Sequence, residues 1–280
     1  MTRCTRHTGD FRDTPRRTVQ RHMINSGKGV RTSVRWPIVL VLALDTSTPE
    51  VTAGVVALLS PHELIAALQA GRDERPASVL AQRKVLDPLG HAEKLMPLVT
   101  QALAAAGHAL RDLDAVVVGV GPGPFTGLRV GMVTGAALGD ALDVPVHGVP
   151  SHDGSARSLH PLPGDLLVVT DARRREVYLS GYRADGRRVL GPAVVAPAAV
   201  PDLLAEHALT PAYAAGAGAG LLTAPDLPVL TPPADAPVLG LVEAAATALL
   251  TGALPGPLVP LYLRRPDATA PGARKSVLGR

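Results

Sequence analysis

The stretch Gly121-Pro-Gly-Pro-Phe-Thr-Gly-Leu-Arg-Val-Gly-Met-Val-Thr-Gly-Ala-Ala-Leu-Gly139 joins an apolar run, 114–120, to a segment with helical spacing, 125–142. A strand that enters a helix through glycines is where phosphate-binding loops sit. This one has no Gly-Lys-Ser or Gly-Lys-Thr ending, and Pro122 and Pro124 have no amide hydrogen to offer an anion. Phe125, Thr126 and Gly127 remain as weak anion donors. Within the helix Gly127, Gly131, Gly135 and Gly139 recur at every fourth position, and each is about 1 kcal/mol less favourable there than alanine. Close packing has to offset that loss, because small residues at this spacing let a second backbone approach. Spacing alone leaves two sources of that packing open: the chain's own sheet or neighbouring helix, or the helix of a partner.

The preceding segment, 91–106, reads as a helix stopped by Gly107. Leu95, Leu98, Val99, Ala102 and Ala106 form one stripe, and Met96 and Leu103 widen it beyond the ~100° that a single packing face needs. Such width predicts two contacts, one to a sheet and one elsewhere. Pro97 marks a first turn or a kink. Upstream, 38–45 and 51–59 are β-rich runs around a Pro-containing turn and predict a hairpin, and 78–87 is a third strand reached after a less regular stretch, 60–77. Downstream, 144–149 is another strand. Three strands, then helix, strand, helix, strand describe an α/β layer with an antiparallel edge and a parallel centre. The second half predicts strands at 165–171, 176–184 and 187–195, with Asp185-Gly186 as a turn, helices near 198–208 and 240–251, and a short strand near 258–263. The sequence itself does not repeat, yet the two halves are candidates for one repeated sheet topology.

The 280 residues, 46% hydrophobic and 19% charged, suffice for one large domain or two lobes with a proper core. Cys4 is the only cysteine, which excludes an intrachain disulfide and a cysteine-based zinc site and predicts a reducing, cytoplasmic setting. The apolar run 38–44 falls far short of the roughly 18 residues that span a bilayer, so no membrane association is expected. Residues 1–37 hold nine of the 28 Lys and Arg but only Asp10 and Asp13 of the 24 acidic residues. The basic pI therefore belongs to that segment, which reads as a disordered basic tail or a gene-start extension rather than an RNA-binding arm. What remains is mildly acidic and gives no general electrostatic case for binding nucleic acid.

Reactive chemistry is thin. Asp45, at the end of the first strand and followed by Thr46, Ser47 and Thr48, could orient magnesium and phosphates, but these are also ordinary turn formers. His91 and Glu93 suggest a metal, yet a helical His site wants a second His at i+4 and position 95 is Leu. No metal centre is expected. Ser47, Ser151 and Ser155 lack a nucleophile-elbow context. The run Asp171-Ala-Arg-Arg-Arg-Glu176 is either an anion-binding patch or a solvated turn between strands.

Five segments in this order carry a resemblance: Leu42-Ala-Leu-Asp-Thr-Ser-Thr48, His91-Ala-Glu-Lys-Leu-Met-Pro97, Gly121 to Gly131, Asp171-Ala-Arg173 with Glu176-Val-Tyr178, and Leu261-Tyr-Leu-Arg-Arg-Pro-Asp-Ala268. Over roughly residues 39–277 the chain resembles the bacterial TsaB family. The resemblance implies an actin-like, sugar-kinase-like (ribonuclease H-like) α/β fold with mixed sheets in two lobes, 38–150 and a smaller 151–280. It also implies a role in making N6-threonylcarbamoyladenosine beside the anticodon of tRNA. In that scheme TsaD, a metal-containing paralogue, transfers the threonylcarbamoyl group, TsaB pairs with TsaD in a heterodimer through a helical bundle, and the small ATPase TsaE joins them. This chain would then be a non-catalytic subunit, with no catalytic residue or cofactor of its own, that meets tRNA through the complex and, when isolated, could form a homodimer.

Carried over by position, the interface would use Leu95, Leu98, Val99 and Ala102 of the first helix and Gly127, Val130, Gly131, Thr134, Gly135 and Leu138 of the second. Asp45, Thr46, Ser47, Gly121 and Gly123 would be the remnant of an ancestral ATP or ADP site. Two features depart from the family: the longer 60–77 segment, and Ala172-Arg173 after Asp171 where ATP-binding relatives of the fold have an Asp-x-Gly phosphate turn. An independent ATP-dependent kinase is the alternative reading, and a peptidase ranks last for want of a metal cluster or nucleophile.

Overall fold

The computed structural model describes residues 38–69, 75–222, 227–232 and 236–264; the basic segment 1–37 lies outside them. The first sheet contains β1 (Ile38–Asp45), β2 (Glu50–Leu59), β3 (Ala77–Leu86), β4 (Ala115–Gly119) and β5 (Val146–Val149) in the order β3-β2-β1-β4-β5. β1 and β2 form the predicted hairpin, with Ile38 opposite Leu59 and Asp45 opposite Thr52. β2 and β3 are also antiparallel, whereas β1, β4 and β5 run parallel. Both faces of this sheet are covered, which explains why β1 and β4 read as continuous apolar runs rather than alternating ones. Leu40, Leu42 and Leu44 point to one side with Val116 and Val118, toward helices α2 (His91–Ala106) and α3 (Phe125–Leu142). Val41, Ala43 and Val117 point to the other, toward α6 (Ala236–Thr251). That last helix comes from the far end of the chain and packs on the first sheet.

The second sheet contains β6 (Leu166–Asp171), β7 (Val177–Tyr182), β8 (Arg188–Val195), β9 (Tyr213–Ala215) and β10 (Val229–Leu230) in the order β10-β9-β6-β7-β8. Two antiparallel pairings on one side of its first strand and two parallel ones on the other reproduce the first sheet. One topology is thus used twice without a repeat in the sequence. The α/β class and the antiparallel edge stand as read, whereas the parallel strands run from the central strand out to the opposite edge rather than forming the centre.

The short strands β9 and β10 form where the sequence predicts none, and three further segments differ from the reading. The irregular stretch 60–77 contains α1 (Pro61–Gln69), which starts as helices commonly do: Ser60 Oγ accepts from the Glu63 amide at 3.2 Å, and proline occupies the first turn. A helix α4 (Ser151–Leu159) follows β5, where the sequence pattern predicts none. It crosses α6 so closely that a Cβ on Gly240 would overlap the Gly154 carbonyl. The segment 258–263 is no strand; the Leu261 amide donates to the Val120 carbonyl at 2.9 Å, but no ladder forms around that bond. A strand of this kind needs a neighbour over several residues, and β4 is already paired on both sides. No helix among the described residues is long and apolar enough to cross a membrane.

Candidate functional site

The glycine helix and the end of β1 meet at Thr46. Its hydroxyl donates to the Gly127 carbonyl at 2.8 Å and accepts from the Gly131 amide at 3.1 Å. A Cβ on Gly127 would stand 2.6 Å from the Thr46 carbonyl oxygen, and one on Gly131 would overlap the Thr46 hydroxyl. Further along, Cβ atoms on Gly135 and Gly139 would run into Val118 and Val146. The open choice at these four positions is therefore decided for the chain's own sheet: the glycine face admits β1, β4 and β5, and is closed to any other molecule.

The same holds for the stripe on α2. Leu95, Leu98, Val99 and Ala102 belong to the core that includes Leu42 and Leu44. Of the residues carried over as an interface, these four and Gly127, Gly131 and Gly135 are buried within the chain, while Val130, Thr134 and Leu138 are half-buried. The physical reason is that a helix lying on a sheet turns its apolar stripe inward, so the residues that make such a stripe legible are the ones a partner cannot reach.

The outward side carries a different set. Met96 is 37% exposed, Phe125 41% and Val133 66%. A shallow groove on this side is lined by Ala92, Phe125, Thr126, Arg129, Val130, Val133 and Thr134. At its head the Arg129 guanidinium lies 3.9 Å from the centre of the Phe125 ring, and its Nε donates to the Tyr262 hydroxyl at 3.1 Å. The Tyr262 and Phe125 rings are 4.6 Å apart. Sequence reasoning singles out Met96 as a residue too many for one stripe but misses Phe125 and Val133, whose signal is equally present as apolar residues off the glycine face.

The strand-end cluster is a compact polar corner. The Ser47 amide donates to Asp45 Oδ1 at 2.7 Å, the Gly121 amide to Ser151 Oγ at 3.3 Å, and the Ser151 amide to the Gly121 carbonyl at 2.7 Å. Gly119 and Gly123 let this corner close: a Cβ on Gly119 would sit 2.6 Å from both Asp45 Oδ2 and Ser151 Oγ, and one on Gly123 would overlap the Ser47 carbonyl. Although Asp45 as a residue is only half-buried, desolvation of its carboxyl pushes its pKa up, against the hydrogen bonds from Ser47 and Ser151. Asp45, Ser47, Gly121 and Gly123 are thus brought together, whereas Thr46 turns its side chain to α3. The amides of Ser47 and Gly121, the donors a phosphate would need, are engaged inside the chain.

His91 is nearly buried and its Nε2 hydrogen-bonds the Thr48 carbonyl at 3.0 Å, which ties the start of α2 to the β1–β2 turn. Among the described residues no three His, Cys, Asp or Glu side chains gather in an arrangement for a metal ion. In the second half, His152 is buried between Ser180 Oγ (3.0 Å) and Thr170 Oγ1 (2.9 Å). Burial and the nearby Arg188 charge lower its pKa to about 3.

Known proteins share this architecture. The family model described as TsaD: tRNA N6-adenosine threonylcarbamoyltransferase matches residues 89–255. An uncharacterized protein of Mycobacterium tuberculosis is 48% identical over 235 residues, 84% of this chain and 96% of its own length. The tRNA threonylcarbamoyladenosine biosynthesis protein TsaB of Haemophilus influenzae is 36% identical over 143 residues, 50% of this chain and 52% of that protein. The solved structure of YeaZ from Pseudomonas aeruginosa superposes with a TM-score of 0.53 at 25% identity, covering 78% of this chain and 99% of that one. The chain belongs to the TsaB family. The fold of this TsaB-family chain is accordingly the actin-like, ribonuclease H-like α/β fold, with both mixed sheets in place.

Proposed function

We propose that this TsaB-family chain is a non-catalytic subunit in the synthesis of N6-threonylcarbamoyladenosine in tRNA, and that it docks on a TsaD-type transferase through the outward side of α2 and α3. The observation that carries this reading is the exposed apolar set Met96, Phe125 and Val133 on the two helices whose other faces are saturated by the sheet. Exposed apolar residues gathered at a groove, as Phe125 and Val133 are, mark an interaction surface. The relatives named for tRNA threonylcarbamoyladenosine biosynthesis supply the process, and a cytoplasmic site follows from tRNA as the molecule acted upon. TsaE and tRNA join through the complex, and in the isolated chain the same groove would hold a second copy.

The test is binding of the transferase from the same organism to wild type, Val133→Asp and Met96→Glu. Substitutions at exposed positions shift stability by only about 0.5 kcal/mol. A charge at the centre of an interface weakens it by about 2–4 kcal/mol, or roughly 30–1000-fold in Kd. Loss of the complex with an unchanged melting midpoint is the expected result, together with loss of tRNA modification in a reconstituted reaction. Two variants that bind as wild type does would remove the groove from the interface. Modification that proceeds without the chain, alongside phosphoryl transfer from ATP that is lost on Asp45→Ala, would favour the kinase reading instead.

A further inference from the structure

The β6–β7 hairpin breaks a local rule that the neighbouring hairpin obeys. Its turn is closed by a hydrogen bond from the Glu176 amide to the Arg173 carbonyl at 3.0 Å, so Arg174 and Arg175 are its two central residues. Both have left-handed backbone, φ 54° and 62°, and Arg173 before them has φ 61°. A tight hairpin turn with positive φ at both central positions ordinarily takes Asn, Asp or Gly there. Between β7 and β8 the same chain uses Asp185-Gly186, with the positive φ of 82° at the glycine. A left-handed residue that carries a Cβ is disfavoured by roughly 1–2 kcal/mol, and here three follow one another. Hairpin formation alone gives no reason for arginine at any of them, and departures of this kind cluster at functional sites.

The turn is also held firmly from outside. Asp171 Oδ1 accepts from the Arg173 amide at 2.6 Å. Arg264 forms an ion pair with Glu176 and donates to the Arg173 carbonyl at 3.2 Å. At the base of the turn Glu176 is paired with Arg264 and Asp171 holds the Arg173 amide; Arg173, Arg174 and Arg175 are exposed, and Arg174 also makes an interaction within the chain. The excess positive charge is local, since the chain beyond residue 37 carries slightly more acid than base.

Its location matters as much as its charge. Tyr262, two residues before Arg264, packs on Phe125 at the head of the α2–α3 groove. Two residues of chain span at most about 7 Å, so Arg264 leads from that groove directly to the arginine turn, with Arg129 on the same edge. The groove and the arginine turn therefore share one edge of the chain.

We infer that the Arg173-Arg174-Arg175 turn is a contact surface for the phosphodiester backbone of the RNA on which the assembled complex acts. This rests on the docking proposed above. A phosphate backbone is the partner that fits, because it presents repeated charge to several guanidinium groups at once and needs no base-specific geometry from a turn.

The experiment measures tRNA binding by the reconstituted complex of this chain with its transferase between 50 and 300 mM salt. Three forms are compared: wild type, Arg173→Asn/Arg174→Asn/Arg175→Asn, and the same three positions changed to Lys. Asparagine tolerates left-handed backbone, so the first variant removes charge without unmaking the turn. Each phosphate deprived of its cationic partner lowers the slope of log affinity against log salt by about 0.7–0.9. The Asn variant is expected to lose about 2 from that slope and to bind tRNA about 10–100-fold more weakly at 100 mM salt, with the Lys variant close to wild type. Its affinity for the transferase without RNA stays unchanged. An Asn variant with wild-type tRNA affinity and slope overturns the inference and leaves the docking intact. An Asn variant that loses the transferase instead shows that the turn meets acidic protein, which also overturns it. A wild-type chain that fails to bind the transferase at all overturns both.

Discussion

The hydroxyl of Thr46 bridges two backbone groups one turn apart in α3, accepting from the Gly131 amide at 3.1 Å and donating to the Gly127 carbonyl at 2.8 Å. A side chain just beyond β1 is thereby anchored to the backbone of α3, and helix and sheet are joined by hydrogen bonds as well as by packing. Thr46→Val keeps the shape and removes the hydroxyl. Both hydrogen bonds are buried, and each contributes about 0.5–1.5 kcal/mol, so their joint loss costs about 1–3 kcal/mol. Urea unfolding of the Val variant should show a loss of that size, with Thr46→Ser much closer to wild type. A Val variant with an unchanged midpoint would mean that the two hydroxyl bonds add nothing to stability.

The glycines oppose two effects of known size. Alanine in place of Gly131 or Gly135 gains about 1 kcal/mol of helix propensity. Its methyl would, however, overlap Thr46 at one position and Val118 at the other, and overpacking a filled site costs about 1–3 kcal/mol. Overlap should win, so both variants should melt below wild type despite the better helix former. By contrast Ala137→Leu, on the exposed side of the same helix, should leave the midpoint within about 0.5 kcal/mol.

That opposition explains how much of the molecule is legible in its sequence. The bounds of α3, the β1–β2 hairpin and the antiparallel-then-parallel order can be read because periodicity and turn residues act locally. The use of the glycine face cannot, because a stripe of small residues permits close approach without naming what approaches; only Thr46, Val118 and Val146 decide it. The groove escapes notice for a related reason. Phe125 and Val133 are single apolar residues in sequence and become a surface only once the inward face is taken. The helix α1 is easily passed over although Ser60, Pro61 and Glu63 carry a start signal, since its nine residues are too few to establish a periodic pattern. The arginine turn reads in sequence as either an anion-binding patch or a solvated turn, and backbone conformation is what sets it apart.

Acid should act on this fold through His152. Its pKa is lowered to about 3, from an ordinary value of 6.5, by burial first and by the Arg188 charge second. A group whose folded pKa is depressed contributes fully above its unfolded value. Between pH 6.5 and about 3 the unfolded chain takes up a proton that the native one refuses, so stability falls by about 1.4 kcal/mol per pH unit in that window. Burial lowers the pKa of His147 and His160 as well, in the same sense. Denaturant midpoints measured from pH 8 to 4 should decline below pH 6.5, and His152→Gln should decline less steeply while starting from lower stability at pH 8. Parallel curves for the two proteins would show that His152 is not the group responsible.

Asp45 should act with the opposite sign. Desolvation raises its pKa in the folded chain, so the native state favours the neutral carboxyl, and the penalty grows as pH rises from the unfolded value to the folded one. Asp45→Asn keeps an oxygen for the Ser47 amide, which donates at 2.7 Å in the native corner, and removes the ionisable group. The variant should therefore melt above wild type at pH 7.5, and the gap should close as pH falls below the carboxylate range, where wild type is neutral too. If the corner is only a remnant of a nucleotide site, the same substitution leaves tRNA modification by the reconstituted complex unchanged. A variant that gains stability but loses modification would instead make the charged carboxylate a working part, retained at the expense of the fold.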